Sequence, residues 1–387
     1  MLASLSMISP LSIDTFLPSF PTIAAEYGIS DWKVQQIITA YLLPFACFAL
    51  VHGPLSDALG RRRVVIGGLV LYTAGSLGCF LAPSFGALLF CRVLQGLAAG
   101  IGPTVARAVV RDMFDGPNAQ KLMSSMMLVF SLAPAVAPVI GGWVHVSLGW
   151  RWVFGMLVVM GGVLMVTCFL LLPETHPPER RTPFRVGALI SNCWRVASGP
   201  AFFLMALSAA LAIASLFIYV GSAPAIILDR WGLKETQFHY IFLPIVAGFM
   251  ISSFMSGRMA GTVERDMQLR IGFALLCASA GIGALAHALP GEVPIFLVQL
   301  LWFAMALGAQ LTYPVLSLEM IDMHPEARGA AASVQSFVAL GIGAIVMGMV
   351  APMLDGNLQY LAVISLAGSV VAWFAWRAGV ALRAHGR

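Results

Sequence analysis

Stretches of about 20 apolar residues recur along this chain with short polar breaks between them, the length a helix needs to cross ~30 Å of hydrocarbon at 1.5 Å per residue. Twelve such spans can be marked, at 2–23, 34–55, 64–82, 87–110, 122–144, 152–172, 202–227, 238–256, 269–288, 294–318, 330–353 and 358–382. A soluble reading fails on composition. The chain is 59% hydrophobic and 10% charged, with a mean hydropathy of +0.90, whereas soluble domains carry about 25% charged residues. The expected fold class is an all-α membrane protein with twelve transmembrane helices.

Seventeen of the 22 Lys and Arg fall on one set of alternate loops and the C-terminus, against Lys33, Arg151, Arg230 and Lys234 on the other. Basic loops stay on the cytoplasmic side, so both termini are expected there, in the inner membrane of a bacterium. The same distribution accounts for the net charge of +5 without a nucleic-acid partner. The longest polar stretch, 173–199, reads as a cytoplasmic linker between an N-terminal six-helix bundle (1–172) and a C-terminal one (200–387). The halves resemble each other. Ser19, Pro21, Ile23 and Glu26 match Ser222, Pro224, Ile226 and Asp229 at a constant offset, and Gly28 and Gly53 match Gly232 and Gly257 one residue later. A duplicated bundle of this kind is a transporter trait.

Two charges break the apolar rule. Asp14 lies inside the first span, where a carboxylate costs at least ~2.5–3.5 kcal/mol to insert and marks an ion path or a partner. Arg92 lies in the fourth span, three residues before Gln95 and so on the same helix face. Its guanidinium does not neutralise itself by losing a proton, and it must find acceptors or snorkel to the interface. Asp14 sits ~12 Å below the outer end of its span and Arg92 ~9 Å below that of its own. Similar depth on neighbouring helices makes them candidates for an ion pair that proton or substrate binding would break. Tyr41, Gln95, Phe217, Tyr219, Gln310, Tyr313, Gln335 and Phe337 are candidates to line a central substrate cavity, each also readable as packing between helices.

Three runs carry a family resemblance. The first, Gly53-Pro54-Leu55-Ser56-Asp57-Ala58-Leu59-Gly60-Arg61-Arg62-Arg63, places a tight reversal at Gly60 and a helix-end carboxylate at Asp57. Arg92-Val93-Leu94-Gln95-Gly96 is the second. The third, Ala133-Pro134-Ala135-Val136-Ala137-Pro138-Val139-Ile140-Gly141-Gly142, has two prolines that remove helix donors and two glycines that allow close contact. These resemble the loop signature, the fourth-helix motif and the antiporter fifth-helix motif of the major facilitator superfamily. With Pro10-Leu11-Ser12-Ile13-Asp14 they are similar to its Bcr/CflA drug-resistance subfamily. Two departures stand out: Ala58 replaces a basic residue common in the family, and no aspartate of the second half matches Asp57.

The resemblance implies a monomeric, proton-coupled antiporter that exports small drug-like molecules by alternating access, with Asp14 and Arg92 in proton coupling. Gly53, Asp57, Gly60, Arg61, Pro134, Pro138, Gly141 and Gly142 would serve conformational change. The nearest rival is an exporter of one metabolite, such as an amino acid or a sugar derivative. No cofactor is expected, the proton gradient being the energy source, since no Gly-x-x-x-x-Gly-Lys-Ser/Thr run occurs. The six cysteines show no metal-binding spacing. An enzyme would need a catalytic set such as His-Glu-x-x-His, and the sequence has none.

Overall fold

The structure is a computed structural model. It describes residues 1–385 apart from Asp115 and Thr182, and their side chains apart from those at 116–121, 124–125, 127–128, 131, 180 and 384–385. Three of the basic-side residues, Lys121, Arg180 and Arg387, therefore fall outside the described side chains.

The described residues form helices and no strands. In the first half these are α1 (Leu2–Asp14), α2 (Phe20–Tyr27), α3 (Asp31–Val34), α4 (Gln36–Ala49), α5 (His52–Leu59), α6 (Arg61–Phe80), α7 (Phe85–Ala99), α8 (Ile101–Met113), α9 (Gly116–Leu148) and α10 (Trp150–Leu171). The linker contributes α11 (Val186–Ala197), so the stretch expected as connecting chain is partly helical. The second half holds α12 (Pro200–Gly221), α13 (His239–Met259), α14 (Arg265–Ala288), α15 (Ile295–Asp322), α16 (Arg328–Ile345) and α17 (Leu358–His385).

Nine helices among the described residues are long and apolar enough to cross a membrane, counting α7 with α8 as one. A tenth crossing is a pair, Asp31–Ala49 with His52–Leu59, bent by 55°. The other two expected spans fall on α1 with α2 and on α9. Span one is broken, α1 stopping at Asp14 and a 3-10 turn, Leu17–Ser19, leading into α2. Span five lies within α9, a helix of 33 residues whose described apolar stretch is Leu132–Leu148. Together these account for the twelve.

The chain divides into two compact units. Unit 1 comprises Met1–Leu189 with Lys234–Phe238, and unit 2 comprises Ile190–Leu233 with His239–Arg387. In unit 1, α1 packs on α8 and α9, α4 on α7, and α6 on α7 and α10. In unit 2, α12 packs on α15, α16 and α17, α13 on α15, and α14 on α15 and α17. The halves repeat a turn as well as residues: Gly28 and Gly232 both have φ +61°.

Candidate functional site

The break in span one creates the site. The last bond at the end of α1 runs from the Thr15 N–H to the Leu11 carbonyl, so the carbonyl of Ser12 is left without a helical donor. A helix end inside hydrocarbon must be satisfied by protein, and its negative dipole end favours a cation. Arg92 of α7 supplies both. It is fully buried. Its Nη1 donates to Ser12 O at 3.0 Å and to Gln95 Oε1 at 2.8 Å, and its Nε to Ile37 O at 3.2 Å. The guanidinium lies over the rings of Phe16 and Tyr41, 4.4 and 4.5 Å from their centres. One side chain thus joins α1, α4 and α7. The fork geometry that lets arginine meet several acceptors at once explains why this residue type serves here. Interfacial snorkelling is overturned by the same contacts.

Asp14 is 6% exposed. Among the described residues no hydrogen bond or ion pair holds its carboxylate, and the expected pair with Arg92 is not formed. The guanidinium's Nη1 and Nε go instead to the Ser12 carbonyl, two residues earlier in α1, to Gln95 Oε1 and to Ile37 O. Arg92 Nη2, buried, has no hydrogen-bond partner among the described residues.

Around this pair lie residues the sequence reading missed. Gln95 Nε2 donates to Ser76 Oγ at 2.7 Å, and Ser12 Oγ shares a 2.6 Å hydrogen bond with Tyr72 OH. Both Ser76 and Tyr72 come from α6, four residues apart on one helix face, which was the available signal. Tyr41 and Gln95 were expected on a substrate cavity. Instead both are enclosed around Arg92 inside unit 1. The other six cavity candidates sit on three helices of unit 2. Phe217 and Tyr219 lie on α12, with Tyr219 packed on Trp302; Gln310 and Tyr313 lie on α15. On α16, Gln335 accepts a 2.9 Å bond from Ser317, and Phe337 is exposed.

The fifth-span motif packs directly on the helix that carries Asp14. Ala133 and Ala137 form a small core with Leu11. Gly141 continues the four-residue spacing, and a Cβ there would collide with the Thr15 carbonyl, next to Asp14. Small residues let two backbones approach in a membrane. Pro134 and Pro138 lie within α9, which runs on through both. A Cβ at Gly142 would meet the Glu235 carbonyl, while at Gly53 it would meet nothing within 4 Å. Gly141→Val is therefore expected to lower the melting temperature of the purified protein by several degrees, an overpacking cost of about 1–3 kcal/mol. Gly162→Ala, in open space, is the comparison; equal melting of the two variants would remove the close-approach role.

At the other end of unit 1 the loop motif closes a charged cluster. Arg61 opens α6 and is buried. Its side chain bonds Ser56, Asp57 and, at 3.1 Å, Asp112 Oδ2. The Asp112 carboxylate also accepts from Thr175 Oγ1 at 3.1 Å. Glu174 Oε1 accepts the backbone N–H of Arg61 at 2.9 Å, capping α6 from outside, and Arg181 stands 3.9 Å from Glu174 Oε2. Gly60 is required here twice, by φ +97° and because a Cβ would strike Glu174. Asp57 pairs with Arg61 one helical turn away; Asp112 and Glu174, which also meet Arg61, and Arg181, which meets Glu174, were not foreseen in this cluster. The Arg61–Asp112 contact, though not Asp57, has a counterpart in the second half. Arg265, the first residue of α14, meets Asp322, the last of α15, at 3.1 Å. Both are about half exposed, so this pair contributes little stability. Far from the Arg61 cluster, Glu26 ties α2 to α10 through Trp150 and Arg151. Burial opposes its charge, and the hydrogen bonds from Trp150 and Arg151 with the Arg151 charge outweigh burial, holding the carboxyl below its ordinary value.

The family model of the Major Facilitator Superfamily matches residues 2–348. The chain belongs to that superfamily. Among its superfamily relatives is an uncharacterized MFS-type transporter, YdgK, of Bacillus subtilis, 30% identical over 90% of this chain and 87% of its own length. A bicyclomycin resistance protein homolog of Haemophilus influenzae is 28% identical over 91% of this chain and 88% of its own. The multidrug resistance protein MdtL of Escherichia coli is 27% identical over 79% and 76%. The superfamily fold of twelve helices agrees with the expected fold class, and the chain is a multi-pass membrane transporter.

Proposed function

We propose that this transporter is a proton-coupled antiporter that exports drug-like molecules from the bacterial cytoplasm, with Asp14 as the proton carrier. The observation that carries the reading is the Asp14 carboxylate itself, buried at the broken end of α1 with no partner among the described residues. A membrane-buried carboxylate without a fixed counter-ion is free to exchange one proton for another ligand. Arg92 forms no ion pair with it, and its bonds go to Ser12, Ile37 and Gln95. Proton binding from the outer side neutralises Asp14 as the exported molecule departs, and the return step releases the proton inward. Alternation of the two bundles about the site exposes it to each side in turn. The chain works as a monomer, draws on the proton gradient and needs no cofactor.

The drug-resistance names of two relatives support the substrate class. The basic loops support cytoplasmic termini. Cells expressing the chain, given a panel of antibiotics, dyes and metabolites, should show lowered accumulation of several chemically distinct drugs. An uncoupler should abolish the difference. Export of a single metabolite alone would replace multidrug efflux by the narrower reading, and export that survives the uncoupler would sink proton coupling.

A further inference from the structure

Helix α11 carries an apolar face that the described residues leave uncovered. At 100° per residue, Leu189, Cys193 and Val196 point one way, and Val186, Ile190 and Trp194 follow on the adjoining side. Cys193 and Val196 are buried. The adjoining stripe is open: Val186 is 54% exposed, Ile190 62% and Trp194 73%. Elsewhere exposed apolar side chains are common on the spans, where hydrocarbon meets them. That explanation fails for α11, whose 12 residues are too few to cross a bilayer.

Covalent geometry places the helix at the membrane surface. α11 ends at Ala197 and the crossing helix α12 starts at Pro200. Three Cα steps separate them, about 11 Å at most. Trp194 lies in the last turn of α11, the end nearest that crossing. Tryptophan favours the headgroup level, where its ring is apolar and its N–H is wet. The charge pattern fits one kind of surface. Arg195 lies on the polar side of α11, Arg185 immediately precedes its first turn, and α11 has no Asp or Glu. Basic groups beside an apolar stripe bind an anionic leaflet.

We propose that α11 is an interfacial anchor, with Val186, Ile190 and Trp194 inserted among the lipids of the anionic cytoplasmic leaflet and Arg185 and Arg195 holding acidic phospholipid headgroups. The anchor rests on the cytoplasmic placement of the linker and is independent of which substrate the protein exports. It gives the chain between the two halves a fixed depth, where a polar linker of the same length would be free in water.

The test uses full-length protein in vesicles of phosphatidylcholine mixed with phosphatidylglycerol. The photoreactive residue benzoylphenylalanine is installed in place of Ile190, Trp194 or Ser191, and adducts are read by mass spectrometry after illumination. Ile190 and Trp194 point into the stripe; Ser191 points away from it, towards the Arg195 side. Lipid adducts are expected at 190 and 194, at least tenfold above those at 191. Phosphatidylglycerol should be enriched among them relative to the vesicle, and the double variant Arg185→Gln/Arg195→Gln should erase the enrichment. Adducts at 190 and 194 to the protein itself, or none at all, would overturn the anchor. Adducts in the bulk lipid ratio would overturn the acidic-headgroup specificity. Drug export by the same preparations separates this result from the fate of the antiporter reading.

Discussion

Asp14→Asn is expected to abolish efflux driven by a pH gradient while leaving a folded protein that still binds substrate. Asparagine keeps the shape of the side chain and removes its titration. No partner of Asp14 among the described residues loses a bond, so the substitution leaves no orphaned donor behind. It also removes the cost of holding a carboxylate in hydrocarbon, ~2.5–3.5 kcal/mol or more for the charged form, so the melting temperature should stay level or rise. The measurement is drug accumulation in vesicles with an imposed pH gradient, set against exchange of labelled for unlabelled drug without a gradient. Loss of the driven flux by at least tenfold with exchange retained is the expected result. Gradient-driven efflux at the wild-type rate would exclude Asp14 as the carrier. A drop in melting temperature matching the loss of flux would make it a structural residue instead.

Much of the fold was legible because the bilayer imposes a length on every crossing segment, and apolar runs of that length can be counted. Breaks inside the runs were not. The end of α1 at Asp14 and the bend between α4 and α5 fall inside runs counted as single spans. The site divides in the same way. Arg92 with Gln95, and Asp57 with Arg61, are three and four residues apart, and helical geometry makes such neighbours predictable. Asp112 and Glu174 join Arg61 from 51 and 113 positions away. Nothing local announces such contacts. Equal depth suggested an Asp14–Arg92 ion pair, but depth is one coordinate only. The carbonyl freed by the break, invisible until α1 was seen to stop, is the acceptor that Arg92 meets. The spacing of Ala133, Ala137 and Gly141 was readable as a packing stripe, while the helix it faced was not.

The Arg92 network makes the second large effect. In Arg92→Lys the charge remains and the fork is lost. An ammonium is a point donor on a flexible stem, and Ser12 O, Gln95 Oε1 and Ile37 O approach the guanidinium through two different nitrogens. Lysine cannot serve all three acceptors at once, and it gives up the flat face that lies over Phe16 and Tyr41. Each buried bond to a charged group contributes about 1.5–3 kcal/mol, and breaking a buried polar network costs about 3–5 kcal/mol. The melting temperature should fall by well over the several degrees expected for Gly141→Val. Transport measured below the variant's own melting range then separates two roles. Arg92 holds the broken end of α1, and with it Asp14, in register with α4 and α7; if that register serves coupling, the folded variant should retain drug exchange but lose most pH-driven export. Export and exchange falling together in the folded variant would reduce Arg92 to a structural pin. A melting temperature equal to wild type would show that the bonds to three helices contribute no stability.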